Sequence, residues 1–104
     1  MSFFGLFGGG SDNASIEEYL NEGAVVVDVR SDREFKSGHV SGSKNIVLHT
    51  IPIKVNEIKA FNKKVIAVCQ SGSRSGQATN FLSQQGIDVI NGGPWKNVAR
   101  FTNE

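Results

Sequence analysis

A chain of 104 residues has room for one domain built on a modest core. Its 38% hydrophobic and 20% charged residues are ordinary for a globular protein, and a formal net charge of +1 gives nucleic acid or an acidic membrane no hold. The single cysteine excludes an internal disulfide and fits a reducing, cytoplasmic compartment; it also leaves no resolving thiol, so whatever it picks up must pass to an outside acceptor.

The first ten residues, Met1 to Gly10, carry three phenylalanines and a leucine among glycines and no charged side chain. They lack the basic and continuous apolar regions of a secretory signal. We expect a flexible tail over 1–10 and a single domain over 11–104. The tail's phenylalanines would touch the domain or a neighbouring copy, or else form a weak membrane or partner anchor, which the absence of basic residues disfavours for a membrane. No apolar stretch anywhere approaches the ~18 residues of a membrane span.

Ser15-Ile16-Glu17-Glu18 has capping-box spacing and predicts a helix to about Glu22, stopped by Gly23. Ala24 to Val29 is an apolar run broken only by Asp28, as in a parallel strand covered on both faces. Ser31 and Glu34 repeat the capping-box spacing and open a short helix ended by Gly38. A short strand is expected over Asn45 to Leu48. Pro52 then starts a helix to about Phe61, with Ile53, Val55, Ile58 and Phe61 as its apolar positions. Val65 to Val68 is the third strand, Ser75 to Gln85 a helix stopped by Gly86, and Asp88 to Asn91 the fourth strand. Gly92-Gly93-Pro94 would turn the chain into a last helix over Trp95 to Phe101. Alternating strands and helices argue for an α/β fold: three layers, α/β/α, around a small, mainly parallel sheet of four or five strands.

The third strand leads into Cys69-Gln70-Ser71-Gly72-Ser73-Arg74-Ser75. A lone cysteine ending a strand can be a plain core residue. The stretch after Cys69, however, is small, polar and glycine-bearing, and it enters a helix. Such a loop turns successive N–H groups inward, and the helix N-terminus adds partial positive charge. Both lower the pKa of a thiol held there. Ligands in parallel sheets bind outside the carboxyl ends of the strands, where Cys69, Asp28-Val29-Arg30 and Gly92-Gly93 should converge.

These residues resemble a rhodanese domain, the sulfurtransferase fold shared with a branch of phosphatases. The resemblance covers about Ser11 to Phe101. It rests on Asp28-Val29-Arg30 with Glu34-Phe35, Gly38-His39-Val40, Gly42-Ser43 and Asn45-Ile46, on Val68-Cys69 with its loop to Arg74-Ser75, and on Gly86, Val89 and Gly92-Gly93. Val47 stands where the family usually has proline, and Trp95 comes sooner after Gly93 than the family's tryptophan does. The resemblance implies that Cys69 is a nucleophile that takes a sulfane sulfur from thiosulfate or another persulfide donor. It would hold that sulfur as a persulfide and give it to cyanide, a thiol or a protein acceptor. Backbone N–H groups from Gln70 to Arg74 would stabilise the persulfide anion. No cofactor or metal is implied, and His39, His49 and Cys69 have no metal-ligand spacing. A persulfide-holding module serving one protein partner is the competing reading. Phosphatase or arsenate reductase is a third, which the Cys-x4-Arg spacing disfavours, because that branch has five residues between cysteine and arginine and Ser75 stands where its arginine would be.

Two readings of Arg74 are open: it binds the donor's charge, or it pairs with Glu34 or Asp28. Asp28 and Arg30 are expected to form a supporting polar network with Glu34 and His39. His39 should satisfy the last carbonyls of its helix. Ser71, Ser73 and Ser75 are expected to be loop hydrogen-bonding residues, with Ser73 or Ser75 capping the helix.

Overall fold

Continuous β-branched runs sit comfortably only where both faces of a sheet are covered, and two such runs form the centre of this molecule. In the computed structural model, which describes residues 13–103, β1 is Val25–Asp28 and β3 is Val65–Cys69. They pair in parallel from Val25 opposite Val65 to Asp28 opposite Val68. β2 (Lys44–Asn45) flanks β1 and β4 (Val89–Pro94) flanks β3. The sheet is four-stranded, wholly parallel, in the order β2-β1-β3-β4. The Phe-rich stretch 1–10 lies outside the described residues.

Among the described residues the helices are α1 (Asn13–Asn21), α2 (Asp32–Lys36), α3 (Ile51–Ala60), α4 (Ser73–Gln84) and α5 (Trp95–Thr102), with one 3-10 turn at Leu48–Thr50. Alternation along β3 divides the core in two. Val65, Ala67 and Cys69 pack with Ile51 and Ile58 of α3 and with Ala78 and Leu82 of α4. Ile66 and Val68 pack with Ile16 of α1 and with Val98 and Ala99 of α5. The result is the expected three-layer α/β arrangement, with Cys69 facing the α4 side.

Several boundaries differ from expectation. α1 begins at Asn13, so Ser15 lies inside the helix and does not cap it. Ser31 does cap α2, accepting from the Glu34 N–H while Glu34 Oε1 accepts from the Ser31 N–H. β2 stops at Asn45, short of Leu48. There the Asn45 side-chain amide donates to the carbonyls of Asp28 and Arg30, and the chain turns into the 3-10 helix. In α3, Ile58 is buried as expected, but Ile53 is 83% exposed and Ile51 takes the inward position. β4 runs on through Gly92-Gly93-Pro94, because on an edge strand the N–H that proline lacks is not needed by a neighbour.

The register between β3 and β4 shifts by one residue at Ala67/Val68, where Ala67 faces Asn91 but Val68 faces Gly93. Gly92 is the extra residue. A Cβ there would come within 2.6 Å of Ile66 Cγ2 and 2.9 Å of Val68 Cγ1. The bulge turns the end of β4 over the end of β3, which brings Asn91 and Gly93 beside the cysteine loop. We therefore expect Gly92→Ala to destabilise the fold by about 1–3 kcal/mol through overpacking, read as a lowered urea midpoint; an unchanged midpoint would show that the bulge has slack.

Candidate active site

Cys69 is the last residue of β3 and is fully buried. Taking a thiol out of water favours its neutral form, so a reactive cysteine here needs hydrogen-bond donors in place of solvent. The loop provides them. Gly72 N–H donates to Sγ at 2.9 Å, and Ser75 approaches Sγ with both its N–H and its hydroxyl at 3.3 Å. Burial pushes the thiol pKa up and is the largest single influence. The donors from Ser75, Gly72 and Ser71 together outweigh it, so the thiol is held below its ordinary value.

Gly72 makes this geometry possible. Its φ of 101° is a left-handed conformation that glycine adopts without strain, and it is the N-cap of α4. A Cβ on it would sit 3.3 Å from Gly93 Cα, so the loop and the end of β4 meet backbone to backbone. The expected capping by Ser73 or Ser75 is not seen: α4 has no side-chain cap. Ser73 is already the first helical residue, and its N–H reaches Ser71 Oγ at 3.4 Å. Ser75 is buried, with its hydroxyl turned to Cys69 and Asn91. Gln70 is exposed at the start of the loop.

Of the two carboxylates open to Arg74, the structure pairs it with Glu34 and not with Asp28. Its guanidinium meets Glu34 in a two-pronged contact, Nη1 to Oε1 at 2.8 Å and Nη2 to Oε2 at 3.0 Å. The Arg74 guanidinium and the Ser31 N–H hold the Glu34 carboxyl at about 2, well below its ordinary 4.5. Glu34 thus serves the cap of α2 and the cysteine loop together, and it does not join Asp28 and Arg30 as expected.

Asp28 and Arg30 form their own buried pair. Arg30 Nε and Nη2 donate to the two carboxylate oxygens at 2.9 and 2.7 Å. Nη2 also reaches Gly38 O at 2.7 Å, and the guanidinium lies 5.0 Å over the Trp95 ring. His39 is separate from that pair: Nδ1 donates to Phe35 O at 2.8 Å, and the imidazole stacks on the Phe35 ring. These residues brace the carboxyl end of β1 and the turn that follows α2. One residue at the site was not singled out from the sequence. Asn91 bonds Ser75 Oγ, Gly93 N and Gly72 O. The one hint in the sequence is a polar residue ending an apolar strand, directly before paired glycines.

A buried sulfur ringed by N–H and O–H donors at a strand-to-helix turn is placed to carry negative charge. The family model described as Rhodanese-like domain matches residues 12–97, which include every residue of this arrangement. The chain belongs to the rhodanese-like domain family. It is 35% identical over 81 residues to a sulfurtransferase of Allochromatium vinosum, covering 76% of this chain and 75% of that one. It is 33% identical over 70 residues to the thiosulfate sulfurtransferase GlpE of Stutzerimonas stutzeri, covering 67% of this chain and 63% of that relative. Among solved structures, a rhodanese-related protein of Thermoplasma volcanium superposes with a TM-score of 0.73 at 28% identity, covering 88% of this chain and 91% of that one. A rhodanese of E. coli determined with anions gives 0.66 at 32% identity, covering 73% and 92%. This rhodanese-like chain is therefore related to sulfurtransferases in sequence and in fold. No helix among its described residues is long and apolar enough to cross a membrane.

The Arg74–Glu34 pair gives a pH-dependent signature. A carboxylate whose folded pKa is depressed adds stability that is complete above its unfolded value and is lost as pH falls through the folded one. The stability gap between wild type and Glu34→Gln should thus hold steady from neutrality down to about pH 5 and close towards about pH 2. Urea titrations of both proteins across that range measure it; a gap independent of pH would mean that the pair does not form.

Proposed function

We propose that this protein is a sulfurtransferase that takes a sulfane sulfur onto Cys69 as a persulfide and passes it to a thiol, cyanide or a protein acceptor. The observation that carries this reading is the ring of donors around a buried Cys69 Sγ. Preorganised donors favour the ionised sulfur, and they stand ready for the charge of an added one.

The chemistry balances without a cofactor. The Cys69 thiolate attacks the outer sulfur of thiosulfate, and the S–S bond breaks with its electron pair leaving on sulfite. The attacked sulfur stays on Sγ as a persulfide anion. An acceptor thiolate or cyanide then attacks that sulfur, the Cys–S bond breaks, and the thiolate is restored. With no second cysteine in the chain, the sulfur has no internal route away. A lone thiolate carrier suits a reducing compartment such as the cytoplasm.

The loop's composition supports sulfur over phosphoryl transfer. Four residues separate Cys69 and Arg74, and Ser75 closes the ring on the sulfur. That leaves a cradle suited to one sulfur atom. The donor has to contend with Glu34 for Arg74: a thiosulfate dianion must displace the carboxylate to reach the guanidinium, whereas the terminal sulfur of a small-molecule persulfide needs only the N–H donors. The full burial of Cys69 also favours a protected sulfur handed to one protein acceptor, the module reading.

Intact mass after incubation with thiosulfate, or with glutathione persulfide, should show a gain of about 32 Da on the wild type, the mass of one added sulfur, and none on Cys69→Ala. Cyanide should reverse the gain. Many rapid turnovers with cyanide support the enzyme, and a single slow reversal without turnover supports the protein-delivery module. If neither donor adds sulfur, the proposal fails.

A further inference from the structure

Asn91 lies on β4, and its side-chain amide makes three hydrogen bonds at the cysteine loop. Oδ1 accepts from Ser75 Oγ at 2.7 Å and from Gly93 N at 2.9 Å, while Nδ2 donates to Gly72 O at 3.1 Å. The orientation of the amide is fixed, because a backbone carbonyl can only accept and a backbone N–H can only donate. The side chain thus grips two of the residues that present donors to Cys69: Gly72 through its carbonyl, Ser75 through its hydroxyl.

Ser75 has one hydroxyl proton and two acceptors, Asn91 Oδ1 at 2.7 Å and Cys69 Sγ at 3.3 Å. It serves one at a time. The shorter contact places the proton on Asn91 in this structure. When the proton turns to the sulfur, Oδ1 still holds the Gly93 N–H, so neither position of the hydroxyl leaves the half-buried amide oxygen unsatisfied. A side chain that can lose one hydrogen bond and take it back is well suited to hold a rotatable hydroxyl temporarily.

We propose that Asn91 is a positioning residue whose Oδ1 holds the Ser75 hydroxyl away from Cys69 while Sγ is uncharged and releases it when Sγ becomes a thiolate. This inference rests on sulfur transfer at Cys69. In the loaded protein the inner sulfur, bonded to carbon and to the outer sulfur, carries little charge, so the hydroxyl stays on Asn91. As an acceptor nucleophile bonds to the outer sulfur, the S–S bond breaks and its electron pair moves to Sγ. The hydroxyl then swings to the forming thiolate, keeping its own proton. Asn91 thereby sets a threshold for release: it competes with the leaving sulfur for the one donor that can rotate, whereas the N–H donors of Gly72 and Ser75 are fixed in the backbone.

The charged groups around the cradle are Arg74 with Glu34 on the loop side and Asp28 with Arg30 at the end of β1. Each of these is engaged with its own partner, and the Ser75–Asn91 contact is between uncharged groups. A change at Asn91 therefore alters the hydroxyl's choice without altering the charge around the sulfur.

The test is the pH profile of Cys69 alkylation by iodoacetamide in wild type, Asn91→Leu, Ser75→Ala and the double variant. Asn91→Leu keeps the volume but removes the acceptor, so the hydroxyl is left to the thiolate. Its profile should move to lower pH by about half a unit to one unit, the worth of one hydrogen bond. In the Ser75→Ala background the same change should leave the profile in place. A merely structural role for Asn91 predicts the opposite: a loosened Gly72 would raise the thiol pKa, with or without Ser75. A rise, no shift, or an equal shift in both backgrounds overturns the proposal. Asn91→Ala repeats the measurement should the leucine variant not fold. Persulfide loaded on Asn91→Leu should also pass to cyanide roughly threefold to tenfold faster than in wild type, and an unchanged rate refutes the holding role. If the wild type takes up no persulfide at all, the sulfurtransferase reading fails, while the alkylation profiles still decide what Asn91 does.

Discussion

The site depends on how a sulfur removed from water is given back its hydrogen bonds. Cys69 ends a strand packed on both faces and has no exposed surface. Left there alone it would be an inert core thiol. The next six residues reverse this by turning the backbone over the sulfur and into α4, so that Gly72 and Ser75 donate to Sγ. Each constraint nearby stems from that turn. Gly72 is left-handed, β4 bulges at Gly92 to lie over the loop, and Gly93 packs so closely that a Cβ on Gly72 would sit 3.3 Å from its Cα.

Two ion pairs of different kinds brace the rim. Asp28 and Arg30 are buried, and removing one partner of such a pair strands the other's charge, a penalty of about 3–5 kcal/mol. Arg30 also bridges to the Gly38 carbonyl and the Trp95 ring, tying the end of β1 to the start of α5. Glu34 and Arg74 are half-exposed and contribute less to stability. Their importance is placement. They join the cap of α2 to the cysteine loop, and they occupy the one guanidinium of the loop that an anionic donor would seek.

What the sequence makes legible here is local. The run Val65 to Val68 can only be a covered strand, and the polar, glycine-bearing stretch after Cys69 marks the turn into a helix. The Ser31–Glu34 box is read correctly because both partners lie within one helical turn. The same logic fails at Ser15, where the pattern is present but the helix starts earlier. Pro94 leads into the last helix at Trp95 as expected, but it also ends β4, since edge position depends on neighbours far along the chain. The roles of Ser75 and Asn91 are hidden for the same reason. Their contact spans sixteen residues and exists only because β4 lies beside β3 and bulges at Gly92. Arg74 had two sensible partners in the sequence, and the position of α2 decided between them.

Because the chain holds one cysteine, the state of that thiol is directly observable. The ultraviolet absorbance of the thiolate, tracked across pH and corrected with Cys69→Ala, reports its ionisation without any substrate. The donor ring predicts a single transition below the ordinary thiol value of about 8.5. A transition at or above that value would mean that burial prevails over the donors, and that Cys69 is a core thiol and not a sulfur carrier.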